Sequence, residues 1–267
     1  MSAVPLTLIV AGAVLAIAAA LRSTWSPCGL SMLSTITPIG ERGRGHRYRA
    51  TATWFVIGAL LGGTTTGGLI AGLAFVVDAL HLPAHTAGAV AAGALVLAGT
   101  SDLGLGGLQP PFHRRQVNER WLDQFRPWVY GLGFGWQIGT GLTTYVMTAA
   151  VYALVVLGAL TASPIDALAL GSLFGLVRGI GVLLGRGITS PEALRVFHRR
   201  FDAVGPTVRT AVIVIEGAGA VALAGVVWPP AALILAVVAT IVAAPRVRRA
   251  LGAPGRVSVA PATEAHR

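Results

Sequence analysis

Two short stretches contain the residues whose types and spacing could do chemistry. Residues 25–29 (WSPCG) lie in a long apolar segment near the N-terminus, and residues 135–141 (GWQIGTG) lie in another near the middle of the chain. Each segment exceeds the ~20 residues of a membrane helix and is interrupted by Gly, Pro or polar residues. Interrupted segments at matching positions of two halves are typical of a transport site at the middle of the bilayer.

The two interruptions are rich in hydroxyl groups. Pro27 and Pro38 each lack an N–H and clash with the preceding turn, so we expect the helix to break at both. Broken backbone in a membrane must be buried in protein or line a wet cavity. Hydroxyl side chains follow the first break at Ser31, Ser34, Thr35 and Thr37, and surround the second at Thr140, Thr143, Thr144 and Thr148.

Facing each other, the two breaks would form a polar site for a small solute or cation. We predict that residues near both breaks line it: Pro27, Cys28, Ser31, Pro38, Gly139, Thr140, Thr143 and Thr144. The alternative for any single hydroxyl is a hydrogen bond back to its own helix. The matched pair of breaks is what favours a transport site.

Cys28 is the only cysteine of the chain. It could be a small buried hydrophobic residue, which is a common role for an unbridged cysteine. The alternative is a thiolate that forms a mixed disulfide with a separate protein or binds a soft metal, helped by a nearby cation such as Arg22. Cys28 is therefore the one redox candidate, and we predict no other catalytic residue.

Four ionisable residues lie within apolar segments: Arg22, Asp102, Arg178 and Glu216. A charge at the centre of a membrane helix costs roughly 2.5 to 3.5 kcal/mol on insertion scales, so such residues usually pair or line a pathway. Asp102, Arg178 and Glu216 are expected at one shared depth. This predicts a bridge from Arg178 to Asp102 or Glu216, with a proton or substrate relay as the alternative.

Composition indicates a membrane protein. The chain has 267 residues, of which 54% are hydrophobic and 11% are charged, with a mean hydropathy of +0.74. Soluble domains have roughly 25% charged residues. All 20 basic residues are Arg, as in GC-rich bacterial genomes, and most lie in clusters between apolar segments. This is the positive-inside pattern of membrane proteins, so we expect a lipid bilayer as partner and no nucleic acid.

Seven apolar segments predict about seven membrane crossings. They span residues 4–39, 50–80, 87–105, 128–160, 167–184, 211–228 and 231–244. With the N-terminus outside and the C-terminus in the cytoplasm, all four Arg clusters lie on the cytoplasmic side of the inner membrane. The first segment lacks a basic start, so we expect it to stay in the mature protein.

Two of the segments that connect the apolar segments are expected to form helices, whereas the C-terminal tail is expected to be disordered. Ser190, Pro191 and Glu192 predict the start of a short helix on the membrane surface, and residues 117–125 predict another. Residues 250–267 predict a disordered cytoplasmic tail. The chain therefore has one transmembrane domain, residues 1–249.

An internal repeat is indicated by glycines at matching positions. Gly58, Gly62, Gly68 and Gly72 align with Gly171, Gly175, Gly181 and Gly185. The fold class predicted is an all-α polytopic membrane protein with a three-plus-three inverted repeat, residues 4–105 and 128–228, plus an extra helix at 231–244. The alternative for the glycines is close helix packing alone.

Residues 26–28 (SPC), with Pro38 further on, resemble the first helix of the CcdA/DsbD family of membrane thiol-disulfide carriers, within the LysE-type transporter superfamily. In that family a second Pro-Cys, in a Gly-Trp-Thr-Pro-Cys context of the fourth helix, completes a redox pair. Residues 135–139 resemble this context, but Ile138 stands at the place of the Pro and Gly139 at that of the Cys. The resemblance implies the carrier fold and a role like that of cytochrome c biogenesis proteins.

Three functions follow from these patterns. The first is a carrier of a small solute or ion through a site between the two broken helices. The second is a thiol-disulfide electron carrier that works through Cys28 with a partner thiol protein, because one cysteine cannot form an intramolecular disulfide. The third is a membrane scaffold without transport. We expect no cofactor, no metal site and no enzyme site of the soluble type.

Overall fold

The computed structural model describes residues 3–107 and 121–252, and these residues form helices without any strand. The elements are α1 (Val4–Ser23), α2 (Pro27–Thr35), α3 (Pro38–Gly43), α4 (Tyr48–Ala79), α5 (Ala84–Leu103), α6 (Trp121–Gln124), α7 (Pro127–Thr140), α8 (Ala150–Leu160), α9 (Pro164–Ile180), α10 (Pro191–Val227) and α11 (Pro229–Gly252). Short 3₁₀ segments follow α5 at Leu105–Gly107 and α9 at Gly181–Gly187. The predicted all-α class is confirmed.

Five of the described helices are long and apolar enough to cross a membrane: α1, α4, α5, α10, and α9 together with its 3₁₀ extension. Helix α8 and Pro229–Val238 of α11 are apolar but shorter. Many large apolar side chains on these helices are exposed, as in a protein surrounded by lipid. The chain is therefore a multi-pass membrane protein. The inner membrane, the orientation and the count of seven crossings stay predictions.

The first apolar segment breaks twice, as its prolines predict. Pro27 and Pro38 are the first residues of α2 and α3, where the missing N–H costs nothing. The preceding hydroxyls cap these helices, because Gly29 N–H donates to Ser26 Oγ at 3.2 Å and Gly40 N–H donates to Thr37 Oγ1 at 3.1 Å.

The fourth apolar segment also breaks, between α7 and α8. Helix α7 ends at Thr140, and the following Gly141 has a φ of +69°, a conformation that favours glycine. Residues 142–149 then run without a regular helix until α8 begins at Ala150. The backbone N–H of Ala149, just before α8, donates to Asp102 Oδ1 at 2.8 Å. A side chain of α5 therefore fixes the end of this break.

Helix α4 packs closely between α7 and α9 because glycines line both contacts. A Cβ on Gly139 would lie 2.1 Å from the carbonyl oxygen of Ala59, and one on Gly175 would lie 2.3 Å from the same oxygen. Only glycine allows backbones to approach this closely. Gly58 and Gly62 face α7 in the same way, whereas Gly68 and Gly72 have no atom within 4 Å of an added Cβ. The glycine match thus contains true packing positions, and the inverted repeat stays a prediction.

The short surface helix predicted from Ser190 is wrong in length, because α10 continues through Pro206 to Val227. Ser190 Oγ does cap its start. The aromatic face packs on protein: the rings of Trp25 and Phe201 stack at 4.1 Å, and Trp25 Nε1 donates to the Phe201 carbonyl at 2.9 Å. These contacts hold the first half of α10 against the first break. Of the second predicted surface helix, residues 117–120 lie outside the described part, as do residues 253–267 of the predicted tail; residues 250–252 end α11.

Candidate functional site

The hydroxyls after the first break are used mainly within the protein. Ser34 Oγ donates to the Leu30 carbonyl at 2.8 Å and contacts His198 Nε2 at 3.1 Å, and Thr35 Oγ1 donates to the Ser31 carbonyl at 2.8 Å. Ser31 is half-buried. For Ser34 and Thr35 the structure therefore shows hydrogen bonds back to their own helix.

The hydroxyls of the second break lie in different surroundings. Thr140 Oγ1 donates to the Gln137 carbonyl at 2.7 Å and also contacts the hydroxyl of Thr143, which is exposed. Thr144 is 2% exposed, and its hydroxyl has no hydrogen-bond partner among the described residues. Thr148 donates to Asp102. This break thus combines hydroxyls that are paired with one that is buried and unpaired.

The second break contacts α9, and the first break lies near the C-terminal end of the same helix. A Cβ on Gly141 would lie 2.5 Å from the ring of Phe174, so the second break touches this side chain. One turn further, the Arg178 guanidinium lies 5.9 Å from the Phe174 ring centroid and is close enough to Cys28 for an electrostatic interaction. The structure thus brings Cys28 near Arg178, whereas the sequence suggested Arg22 as its cation.

Arg178 is almost completely enclosed, with 2% of its surface exposed. None of its three guanidinium nitrogens has a hydrogen-bond partner among the described residues. The predicted bridge to Asp102 or Glu216 is therefore wrong. Arg178 belongs to α9 and Glu216 to α10, and α1 packs against both of these helices. Two side chains expected at the same depth in the membrane need not meet when their helices each pack against a third helix.

Asp102 connects the two halves of the molecule. Its carboxylate accepts hydrogen bonds from the Thr148 hydroxyl and the Ala149 N–H, at the start of α8. Arg209 of α10 donates to its backbone carbonyl, with Nη2 at 2.6 Å. Arg22, at the end of α1, lies close enough for an electrostatic interaction with the carboxylate. Asp102 is thus tied to the end of one broken segment and lies near the break in the other.

Glu216 lies deeper along α10 and is 0% exposed. Neither of its carboxylate oxygens has a hydrogen-bond partner among the described residues. The carboxylate faces Gly99 of α5, where an added Cβ would lie 3.7 Å from Oε2. Gly99 and Asp102 are three residues apart and share a face of α5, so the two acids lie along one interface between α5 and α10. They interact electrostatically.

A buried polar cluster that the sequence did not reveal joins α3, α4 and α7. Glu41 is 0% exposed. Its Oε2 accepts from the Thr51 hydroxyl and from Tyr130 Oη at 2.7 Å, and its Oε1 accepts from Arg44 Nη2 at 2.8 Å. Burial disfavours the charged guanidinium, but Glu41 more than offsets this and raises the pKa of Arg44 above its ordinary value. His46 Nδ1 lies 3.2 Å from Tyr130 Oη.

The only signal for this cluster in the sequence was one acid within an Arg-rich loop. Glu41 lies between Pro38 and Arg42, where it looks like a solvated loop residue. Its partners Thr51 and Tyr130 are 10 and 89 residues away. Local spacing therefore could not identify it.

An apolar groove of about 400 Å³ lies between α1, α5 and α10. Leu6, Val10 and Ile215 are among the side chains that line it. None of the predicted site residues contributes to it. Ile215 and Gly219 of the lining flank Glu216 in α10, so the groove lies beside this part of the helix.

Comparison with known proteins finds similarity to proteins named methylamine utilization protein MauF. The chain is 33% identical over 141 residues to the protein of Methylophilus methylotrophus, covering 52% of this chain and 49% of that protein. It is 31% identical over 180 residues to the Paracoccus denitrificans protein, covering 62% and 60%. It is 35% identical over 144 residues to the Methylobacillus flagellatus protein, covering 52% and 50%. No family model and no solved structure matches.

These findings overturn the resemblance to the CcdA/DsbD family, because the similar proteins are named MauF. The structure gives the two glycines of this motif a different role. Gly135 and Gly139, taken as remnants of a Pro-Cys context, are packing positions: a Cβ on either would lie 2.1 Å from a carbonyl oxygen of α4. This chain spans about half of the length of the first of these relatives and about three fifths of the second.

Proposed function

We propose that this protein is a membrane accessory protein of methylamine utilization that binds and moves a small cation through Asp102 and Glu216. The observation that carries the proposal is the buried Glu216 carboxylate, which has no partner among the described residues. A carboxylate in such a place must hold a proton or meet a cation, since an isolated buried charge costs several kcal/mol. Glu216 is therefore available to a mobile ion.

Asp102 gives the proposed ion a route to Glu216. It lies near the end of α5, is only partly buried, and occupies the same interface as Glu216. Its carboxylate is held by Thr148 and Ala149 at the second break. A cation that enters near this break meets Asp102 before Glu216. Acid pairs of this kind serve as relays in membrane proteins.

The name of the relatives suggests which cation to test first. It refers to methylamine utilization, and methylamine is protonated in neutral water to a small monovalent ammonium ion. A carboxylate recognises an ammonium group by charge and hydrogen bonds. The proposed substrate class is thus a small monovalent cation, either methylammonium or the proton.

The pathway residues predicted at the two breaks stay a prediction, and they differ in how well a substitution would test them. Gly139 packs against the backbone of α4, so enlarging it disrupts the fold and reports nothing about a pathway. Replacing Thr144, which is buried with an unpaired hydroxyl, is a cleaner probe of the second break. The carboxylates are cleaner still, because glutamine and asparagine keep their shape.

Currents on a solid-supported membrane test the proposal with the full chain in proteoliposomes. This method records only charged species, so diffusion of neutral methylamine through lipid gives no signal. One arm applies methylammonium at constant pH, and the other applies a pH step without amine. We expect a current in at least one arm for the wild type, and none in either arm for Glu216→Gln.

Asp202→Asn is the matched control, because Asp202 lies on the same helix and is exposed. It should keep the full current. A wild-type protein without current in both arms, or Glu216→Gln with an unchanged current, would overturn cation transport. In that event we would infer an accessory role in the membrane without transport.

A further inference from the structure

Arg178 is a second buried charge without a hydrogen-bond partner in the described part of the chain, and it lies on a different helix from Glu216. Its surface is 2% exposed, and Nε, Nη1 and Nη2 all lack hydrogen-bond partners among the described residues. A guanidinium stays protonated under all cellular conditions. Unlike a buried carboxylate, it cannot become neutral by exchanging a proton, so a bound anion would offset the cost of burying its charge.

The surroundings of Arg178 favour negative charge. It lies near Cys28, the second residue of α2. Helix α2 has nine residues, and its N-terminus is the positive end of a helix dipole. Its first-turn donors are already used, because Gly29 N–H donates to Ser26 Oγ and Leu30 N–H donates to the Ser26 carbonyl. The 3₁₀ segment after α9 packs against α2, and an added Cβ on Gly181 would lie 3.6 Å from the side chain of Thr24. Two sources of positive potential thus meet in one enclosed place.

The Phe174 ring beside Arg178 does not neutralise it. The ring centroid lies 5.9 Å from the guanidinium carbon, a distance at which an aromatic face attracts a cation. This contact uses none of the five N–H donors, and the described residues offer them no acceptor. Planar oxyanions fit the fork of a guanidinium with two parallel hydrogen bonds.

We propose that Arg178 and the N-terminus of α2 form a binding site for a small monovalent anion, with planar oxyanions such as formate or nitrate preferred over chloride. The enclosure of Arg178 excludes large anions. The site lies between the two breaks, since Arg178 is near Cys28 of the first and Phe174 touches Gly141 of the second. It does not depend on cation transport through Glu216.

Thermal unfolding of the purified full chain in detergent tests this site. The protein is compared in gluconate, which is too large to enter, and in formate, nitrate or chloride of equal ionic strength. An anion at about a hundred times its Kd should raise the wild-type Tm by about 5 °C or more. Formate and nitrate should act at lower concentration than chloride.

Variants of Arg178 separate the site from general salt effects. Arg178→Gln should lose the anion-dependent shift and unfold in gluconate at the wild-type Tm or above, because removing an unpaired buried charge relieves strain. Arg178→Lys should keep a shift but lose the preference for planar oxyanions. Arg186→Gln is the matched control, since Arg186 follows in the 3₁₀ segment and is exposed; it should behave as the wild type.

Alkylation of Cys28 provides a second measurement that needs no Arg178 variant. Because the chain has one cysteine, a single mass increase by N-ethylmaleimide reports on this position alone. We expect slower alkylation in formate than in gluconate. A wild-type Tm that is equal in all salts, an Arg178→Gln protein that keeps the shift, or an alkylation rate that is unchanged by formate would overturn the proposal.

Discussion

Two glutamates of this protein are both 0% exposed, yet their surroundings are opposite. Glu41 accepts hydrogen bonds from Thr51, Tyr130 and Arg44. Glu216 accepts none from the described residues. A carboxylate with all its partners contributes to stability, whereas one without partners costs stability unless an ion occupies it. The difference assigns a structural role to Glu41 and leaves Glu216 for function.

The positions of the two residues fit this division. Glu41 belongs to α3 and connects it to α4 through Thr51 and to α7 through Tyr130. Its cluster holds the helices around the first break in place. The Glu216 carboxylate makes no hydrogen bond to the described residues, and the small residue Gly99 lies opposite it. A glutamate thus connects helices around the first break, whereas a glutamate between α5 and α10 is available to a ligand.

The largest effect on stability is expected from Glu41→Ala. It leaves Arg44, Tyr130 and Thr51 without their shared acceptor, and removing one partner of a buried pair costs about 3 kcal/mol or more. Partial exposure of Arg44, at 22% of its side chain, keeps the loss near the lower end. Unfolding in detergent measures it. Asp202→Ala, at an exposed position, should change stability little; an equal loss there would contradict the structural role of the Glu41 cluster.

Tyr130→Phe should have an intermediate effect. It removes the hydroxyl that donates to the charged Glu41, a bond worth about 2 kcal/mol. Tyr48→Phe removes a hydroxyl that donates to the neutral carbonyl of Val182, worth about 1 kcal/mol. Unfolding midpoints of both variants are compared under one condition. If Tyr48→Phe were the more damaging, charge at Glu41 would not be the source of the stability.

Thr148→Val tests the link between Asp102 and the second break. The variant keeps the shape of the side chain but loses the hydroxyl that donates to the Asp102 carboxylate, so we expect a loss of about 1.5 kcal/mol, the lower end for a hydrogen bond to a charged group. The Ala149 N–H continues to hold the carboxylate. Thr143→Val, at an exposed position, should cost less. The unfolding midpoint measures both, and the reverse order would show that Asp102 does not fasten the break.

Glu216→Gln should have the smallest effect on stability, with either no change or a gain within about 1 kcal/mol. The substitution keeps the shape and removes a charge that has no partner in the described part of the chain. The unfolding midpoint in a buffer without small organic cations checks this. A loss as large as that of Glu41→Ala would mean that Glu216 has structural partners after all.

The sequence predicts the parts of this fold that depend on local chemistry. Pro27 and Pro38 break the first segment because proline does so in any context, and each indeed starts a helix. Apolar composition likewise predicts membrane helices. Long-range contacts are not local: whether Gly139 belongs to a pathway or a helix contact depends on Ala59, about eighty residues earlier.

The charged residues show the same limit. Sequence finds Arg178 and Glu216 because a charge within an apolar segment is unusual. Pairing them assumes that equal depth means contact, but they lie on helices that both pack against α1. Glu41 escapes notice for the opposite reason, because its partners are distant in sequence and its neighbours resemble a loop.

The most direct test of the account is the effect of methylammonium and of pH on the unfolding midpoint of wild type, Glu216→Gln and Tyr130→Phe. If Glu216 binds the cation, methylammonium or a proton should stabilise the wild type and Tyr130→Phe by the same increment, although the latter starts lower. Glu216→Gln should show no increment. An increment that survives in Glu216→Gln but vanishes in Tyr130→Phe would place the ion at Glu41 and contradict the division between the two glutamates.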